Sequence, residues 1–137
     1  MIVADTGAVY ALIDVNDGQH AAVRELYLGE PDAWVLPWAV LPEVDYLVLS
    51  RLGERVQASF LADLTDGRFA VEWGADGDLE RARELHFRYR SLSLGLVDGV
   101  VMAVAERLRA TAIATLDLKH FGAVKIAGQP KLLPRDV

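Results

Sequence analysis

Four acidic residues from distant parts of this 137-residue chain stand where an apolar segment ends or begins. They are Asp5, Glu43, Asp98 and Asp117. Carboxylates that converge in a fold repel one another unless they are protonated or bind a cation, and oxygen ligands of this kind suit Mg²⁺ or Mn²⁺. The four acids therefore predict a divalent-metal site, provided that the fold brings them together.

Short apolar runs alternate with longer segments of helical spacing along the chain. The runs predict strands at residues 2–4, 34–36, 69–73, 111–115 and, in the tail, 124–126, and the longer segments predict helices at 7–15, 17–29, 38–52, 54–64, 76–89 and 96–108. Apolar strands separated by helices favour an α/β fold with a central, mainly parallel sheet flanked by helices. The length suits one domain over residues 1–137.

A parallel sheet would gather the four acids at one edge, because the carboxyl ends of its strands lie together. Asp5 directly follows the first predicted strand, and Asp117 comes just after the strand at 111–115. Asp98 begins the apolar helix before that late strand, and Glu43 lies in the first turns of the helix that follows the second strand. We expect all four side chains at this edge.

Each acid also has a purely structural explanation. Asp5 and Asp98 could cap helices, Asp117 could belong to a turn, and Glu43 could be a solvated helix residue. These explanations are good for any one acid taken alone. The placement of all four at one sheet edge favours the metal site.

Two other enzyme classes share the first motif. Asp5-Thr6-Gly7 resembles the signature of aspartic proteases, but those enzymes consist almost wholly of strands, and the chain has no second such motif. A haloacid-dehalogenase phosphatase also begins with a strand that ends in Asp, but it requires a second Asp where this chain has Gly7. Both classes fit the sequence poorly.

Composition narrows the function further. Twenty acidic and fourteen basic residues give a formal net charge of −6, and residues 1–50 contain a single basic residue, Arg24. This balance argues against a protein that coats nucleic acid by charge alone. The absence of cysteine excludes disulfides and cysteine-based zinc sites. The apolar runs are too short for a membrane span and no secretory signal is evident, so we expect a cytoplasmic protein without membrane partners.

Taken in order, four motifs resemble the PIN-domain family, and within it the VapC-type toxins of prokaryotic toxin–antitoxin pairs. The motifs are Ile2-Val3-Ala4-Asp5-Thr6, Leu41-Pro42-Glu43-Val44-Asp45-Tyr46-Leu47, Leu94-Gly95-Leu96-Val97-Asp98, and Thr115-Leu116-Asp117 followed by Lys119-His120-Phe121-Gly122. The likeness covers essentially the whole chain. It implies a PIN fold and a metal-dependent endoribonuclease that uses Mg²⁺ or Mn²⁺ and leaves 5′-phosphate and 3′-hydroxyl ends.

The resemblance also implies roles for individual residues. Asp5 and Asp98 would bind the metal directly, Asp117 would complete the site directly or through water, and Glu43 would act through water or position the nucleophile. Hydroxyl groups at Thr6 and Thr115 would orient these acids or water. The chain departs from many relatives at Gly7, where they have Ser or Asn, and at His120, where they have a further acid. His120 could contact phosphate or bind the metal, but we expect it to be an exposed residue without such a role.

The implied partners are an RNA substrate, a VapB-type antitoxin that holds the enzyme inactive, and a second copy of the chain in a homodimer or a toxin–antitoxin hetero-oligomer. Lys119, Arg51 and Arg88 are the candidate RNA contacts. The three tryptophans, Trp34, Trp38 and Trp73, are expected in the core. The alternative function is a catalytically silent PIN-like module that binds RNA or protein, although such a module needs no cluster of repelling acids.

Overall fold

The computed structural model describes all 137 residues and contains a five-stranded sheet in which every strand pair is parallel. The strands are β1 (Ile2–Ala4), β2 (Trp34–Pro37), β3 (Ala70–Glu72), β4 (Ala112–Ala114) and β5 (Lys131–Leu133), in the spatial order β3-β2-β1-β4-β5. The prediction of an α/β fold with a central parallel sheet is therefore confirmed. Because β1 lies between β2 and β4, the carboxyl ends of these three strands lie side by side.

Seven helices connect the strands. They are α1 (Thr6–Ile13), α2 (His20–Gly29), α3 (Val40–Leu52), α4 (Glu54–Thr65), α5 (Asp76–Arg88), α6 (Leu96–Arg107) and the short α7 (Leu118–Phe121). Gly53 separates α3 from α4 with a φ of 91°, a conformation that glycine adopts without steric cost. None of the helices has the length and apolar character needed to cross a membrane.

The core lies around β1 and α6. Val3 and Ala4 are completely buried, as expected for a central strand covered on both faces. In α6 every residue from 99 to 105 is buried, because this helix is apolar on all sides. The buried body of α6 fixes its first turn, where Asp98 lies, against the sheet.

Helices α5 and α6 pack closely through two small residues. A methyl group added at Gly99 would lie 2.9 Å from Cβ of Ala82, so no larger residue fits there without movement. At the other end of α6, the Arg107 guanidinium contacts Asp78 of α5 at 2.8 Å and Glu72 of β3 at 2.8 Å. These contacts hold α6 in place against α5 and the edge of the sheet.

The prediction of a strand at 124–126 is wrong, because the last strand, β5, lies at Lys131–Leu133. Backbone N–H groups near the predicted strand donate to side chains rather than to a neighbouring strand. The N–H of Lys125 donates to the Tyr89 hydroxyl, and that of Ala127 donates to Glu106. The segment therefore forms a loop that fastens to α5 and α6.

The burial of the three tryptophans differs in part from the expectation. Trp34 is buried in β2 and Trp38 is half-buried, but Trp73 is 75% exposed. Trp73 follows the edge strand β3, which has a neighbouring strand on one side only. Its assignment to the core is wrong, because the sheet does not continue beyond β3 to cover it.

Candidate functional site

Asp5 stands at the point where β1 ends beside β4. Its backbone N–H donates to Ala114 O (2.8 Å), which extends the pairing of the two strands by one step. Its side chain is buried and accepts a hydrogen bond from the Thr115 hydroxyl at 3.0 Å. No basic side chain forms a salt bridge with it. The sheet thus places a buried carboxylate at its carboxyl edge without a positive partner.

Asp98 and Asp117 lie at the beginnings of α6 and α7. Oδ2 of Asp98 accepts a hydrogen bond from the Gly95 N–H (3.3 Å), and the partial positive charge of the α6 N-terminus favours a carboxylate there. Asp117 is the N-cap of α7 and accepts a hydrogen bond from the His120 N–H (3.1 Å). A ligand atom of Asp98, one of Asp117 and one of His120 all lie within 4.8 Å of one another.

Glu43 occupies the first turn of α3, and its side chain is exposed. The Thr6 hydroxyl, at the start of α1, donates to Oε1 of Glu43 at 2.6 Å. Glu43 is near enough to Asp98 for its charge to raise the pKa of that acid. The structure therefore places Glu43 at the open side of the group formed by the three aspartates.

The two threonines both contact acids of this edge. Besides its bond to Asp5, the Thr115 hydroxyl accepts a hydrogen bond from the Asp117 N–H at 3.1 Å. Thr115 therefore links the end of β1 to the start of α7. Thr6 in the same way links α1 to α3 through Glu43. Each hydroxyl limits the directions in which its carboxylate partner can point.

The charges of the site perturb its proton equilibria. Burial raises the pKa of Asp5 from 3.8 to about 6. Hydrogen bonds from the Thr6 backbone and the Thr115 hydroxyl oppose this rise, and the negative charges of Asp98 and Asp117 add to it. Burial also raises the pKa of Asp98, with repulsion from Asp117 among the smaller causes. Such a concentration of perturbed groups is typical of functional sites.

The pKa values of Asp117 and His120 shift in the directions expected for an ion pair. Burial alone would raise the pKa of Asp117, but hydrogen bonds from the His120 side chain and backbone outweigh it, and the pKa lies below its ordinary value. The hydrogen bond to Asp117 raises the pKa of the His120 ring, against the effect of burial. His120 is half-buried and bonded through both ring nitrogens, so the expectation of an exposed side chain is wrong.

These residues fit a hard divalent cation. The edge offers carboxylate oxygens from three separate elements, and one of them, at Asp5, is buried without a basic partner. A buried unpaired carboxylate is unfavourable unless it is protonated or bound to a cation. The donor set of Asp5, Asp98 and Asp117 is the kind that Mg²⁺ and Mn²⁺ prefer.

The three candidate RNA contacts lie at different distances from this edge. Lys119 is exposed on α7, between Asp117 and His120 in sequence. Arg88 is exposed in the last turn of α5, four residues before Leu92, whose carbonyl contacts His120. Arg51 lies eight residues after Glu43, about 12 Å farther along α3, and its guanidinium packs over the Tyr10 ring. The structure therefore places Lys119 beside Asp117 and His120 on α7, while the guanidinium groups of Arg88 and Arg51 pack over the rings of Tyr89 and Tyr10.

The family model described as the PIN domain matches residues 2–126. The chain belongs to the PIN-domain family. This PIN domain is 32% identical over 127 residues to Ribonuclease VapC26 of Mycobacterium tuberculosis, covering 93% of the chain and 94% of the relative. The match confirms the resemblance to VapC-type ribonucleases that the four motifs indicated.

Solved structures show the same fold. Mycobacterium tuberculosis VapC20, described as a sarcin–ricin loop cleaving toxin, superposes with a TM-score of 0.78 at 23% identity, over 92% of this chain and 98% of the other. FitAcB from Neisseria gonorrhoeae gives a TM-score of 0.65 at 16% identity, over 96% of both chains. The predicted PIN-like fold is confirmed.

His120 is the residue of this edge whose burial the sequence did not predict. One local signal was available: His120 comes three residues after Asp117, a spacing at which an N-cap residue meets the first turn of a helix. The other contact, with Leu92 O, joins residues 28 positions apart and has no signature in the sequence.

Proposed function

We propose that this PIN domain is a metal-dependent endoribonuclease, the toxin of a VapBC-type toxin–antitoxin pair, and that it hydrolyses RNA phosphodiester bonds at the acidic edge. One observation carries the proposal: buried Asp5 has no basic partner, and the charges of Asp98 and Asp117 are close enough to raise its pKa. A protein that only binds RNA gains nothing from this arrangement. The similarity to a named ribonuclease supplies the substrate class.

The proposed roles follow from position. Asp5 and Asp98 would hold the cation directly, since they are the most buried of the four acids, and Asp117 would complete its ligands. Bound there, Mg²⁺ or Mn²⁺ would offset the negative charge of the site and of the phosphodiester and would activate water. Glu43, held by Thr6 on the open side, is placed to orient that water. Thr115 keeps the Asp5 carboxylate in position.

The proposed path of the RNA passes the exposed basic groups of the same edge. Lys119, next to Asp117 on α7, would contact phosphates beside the scissile bond, and Arg88 and Arg51 would contact the RNA farther from it. Single-stranded or loop RNA suits such an open edge better than a regular duplex, because its backbone can approach from one side.

The test is incubation of the purified protein with total RNA in Mg²⁺ or Mn²⁺, with and without chelator. We expect cleavage only with metal, products with 5′-phosphate and 3′-hydroxyl ends, and a loss of at least about a hundredfold in rate for Asp98→Asn. The matched control is Asp32→Asn, which should keep full activity. Asp32 is exposed and lies just before β2, at the amino ends of the strands. Cleavage that persists in chelator or in Asp98→Asn would contradict the mechanism. Intact RNA under all conditions would favour the silent binding module.

We also propose that an antitoxin covers apolar side chains of α2 to α4. Leu28, Tyr46, Leu49 and Leu61 are all at least 40% exposed there, which is a large amount of apolar surface for helices of a small domain. An antitoxin segment docked on these helices would lie next to Glu43. Co-expression with the cognate antitoxin should relieve toxicity of the unmodified chain but not of Leu49→Ser/Leu61→Ser. Equal relief of both would refute this assignment.

A further inference from the structure

The His120 ring lies between a backbone carbonyl and two carboxylates. Its Nε2 is 2.9 Å from Leu92 O, and its Nδ1 is 2.7 Å from Oδ2 of Asp117 and 3.9 Å from Oδ2 of Asp98. Only 22% of the side chain is exposed. The ring is therefore held at both nitrogens and has little freedom to turn.

The contact with Leu92 identifies which nitrogen carries a proton. A carbonyl oxygen only accepts hydrogen bonds, so Nε2 must be the N–H donor of this pair. In the neutral ring, Nδ1 then presents its lone pair to Asp98 and Asp117. A histidine whose outer nitrogen donates to a backbone carbonyl, while the inner one faces carboxylates, has the arrangement found in metal-binding histidines.

The surroundings of Nδ1 call for a positive species. A nitrogen lone pair and a carboxylate oxygen at 2.7 Å repel each other unless a proton or a metal ion is shared between them. The ligand atoms of Asp98, Asp117 and His120 lie within 4.8 Å of one another, close enough to reach one ion. All three residues are partly shielded from solvent.

We propose that Nδ1 of His120 is a ligand of the divalent cation, together with Asp98 and Asp117, and that this nitrogen makes the site prefer Mn²⁺ to Mg²⁺. The inference rests on the proposed function only in that a cation binds at this edge. Imidazole nitrogen is a poor ligand for Mg²⁺, whereas transition metals accept it readily alongside carboxylates. An oxygen ligand in the same place would remove the preference.

The other two histidines provide internal controls. Nδ1 of His20 contacts Ala11 O at 2.8 Å, and Nδ1 of His86 contacts Leu94 O at 2.9 Å. Neither histidine forms a salt bridge with a carboxylate. Any histidine nitrogen coupled to a metal ion at the acidic edge therefore comes from His120.

The direct test is pulsed electron paramagnetic resonance of the full chain loaded with one equivalent of Mn²⁺. Nitrogen modulation should be present in the unmodified protein and should change to the ¹⁵N pattern when the protein is grown with ¹⁵N-labelled histidine. It should be lost in His120→Asp and kept in His86→Asn. The isotope comparison uses the unmodified chain, so it remains decisive even if His120→Asp does not fold.

A second measurement tests the metal preference. Calorimetric titration with each metal should show that His120→Asp reduces the ratio of Mn²⁺ to Mg²⁺ affinity by about tenfold or more, while His86→Asn leaves the ratio unchanged. Mn²⁺ binding without nitrogen coupling, or with an unchanged ratio, would overturn this inference and leave the proposed function intact. Failure of the unmodified protein to bind either metal would overturn both.

Discussion

At the scale of single residues, Asp5 carries a conflict between stability and function. Its carboxylate is buried with one hydroxyl partner and no basic one, so in the metal-free protein the ionised form is unfavourable. The same feature gives the site its attraction for a cation. A residue that binds a metal strongly in the folded state is expected to cost stability when the metal is removed.

The raised pKa of Asp5 determines how this loss of folding stability depends on pH. The carboxyl group ionises near 3.8 in the unfolded chain and near 6 in the folded one, so the folded state binds the proton more tightly. Stability therefore falls as pH rises from about 4 to 6, and above pH 6 the penalty is constant at about 3 kcal/mol. Below pH 4 both states are protonated and the penalty vanishes.

Asp5→Asn should thus stabilise the metal-free protein at pH 8 by up to about 3 kcal/mol, while it abolishes RNA cleavage. The gain should shrink between pH 6 and 4. Urea unfolding in chelator across pH 4 to 8 measures it, with Asp32→Asn as a control whose exposed side chain should give no comparable gain. If Asp5→Asn is less stable than the unmodified chain at pH 8, the buried carboxylate does not destabilise the metal-free protein.

At the scale of elements, the position of Asp98 depends on the packing of α6 against α5. Gly99, next to Asp98 in sequence, leaves no room for a side chain: a Cβ there would lie 2.9 Å from Cβ and 3.1 Å from Cα of Ala82. Closely packed interiors resist such additions, because neighbouring atoms and the backbone must move. A shift of α6 would carry Asp98 with it.

Gly99→Ala should therefore lower the free energy of unfolding by about 1–3 kcal/mol, despite the better helix propensity of alanine, and weaken metal binding as well. Gly77→Ala, in the first turn of α5 with no atom within 4 Å of the new methyl group, is the matched control and should be neutral or slightly stabilising. Urea unfolding and calorimetric metal titration of both variants measure these effects. Equal stabilities would mean that the two helices separate at no cost.

The sequence predicted the elements around the site better than those in the tail. The apolar runs before Asp5 and Asp117 were sufficient, because central parallel strands are buried on both faces and require continuous apolar residues. Strand β5 escaped prediction because its only apolar residues are Leu132 and Leu133, whereas the other edge strand, β3, lies in a run with four apolar residues at 69–73. Residues 124–126 resemble a strand locally, but in the fold the segment is bonded to Tyr89, just after α5, and to Glu106 of α6.

Among the residues of the site, too, the sequence predicted positions that depend on local structure and missed those that depend on contacts between distant parts of the chain. The position of each aspartate follows from the end of its own strand or helix, which is local information. The place of His120 depends on Leu92, and that of Trp73 on the absence of a strand beyond β3; both are properties of the assembled fold. Arg51 was selected by charge alone; it lies about 12 Å along α3 from Glu43, and its contact with RNA stays a prediction.

At the scale of the whole molecule, the net charge of −6 opposes the approach of a polyanion. The acids of the carboxyl edge concentrate this charge where the proposed function requires RNA to bind. A cation bound among them would reverse the local sign without any change in the rest of the surface, so RNA affinity should depend on metal occupancy as well as on the basic residues nearby.

The repulsion can be measured in the absence of metal, where the proposed mechanism predicts no cleavage. Asp5→Asn/Asp98→Asn removes two charges from the acidic edge, and Glu30→Gln/Asp32→Asn removes two from exposed positions before β2, at the opposite edge of the sheet. In chelator and at low salt, the first pair should bind a labelled single-stranded RNA about two- to fivefold more tightly than the unmodified chain. The second pair should change the affinity much less.

Fluorescence anisotropy in EDTA at 20 mM and 500 mM salt separates these cases. The advantage of Asp5→Asn/Asp98→Asn should disappear at high salt, because the screening length then falls to a few ångströms and the remaining charges act only on their nearest neighbours. Equal gains for both double variants would show that RNA responds to the total charge of the molecule and not to its acidic edge. RNA would then have to approach this PIN domain from another side, and Lys119 and Arg88 would lose their place in the proposed path.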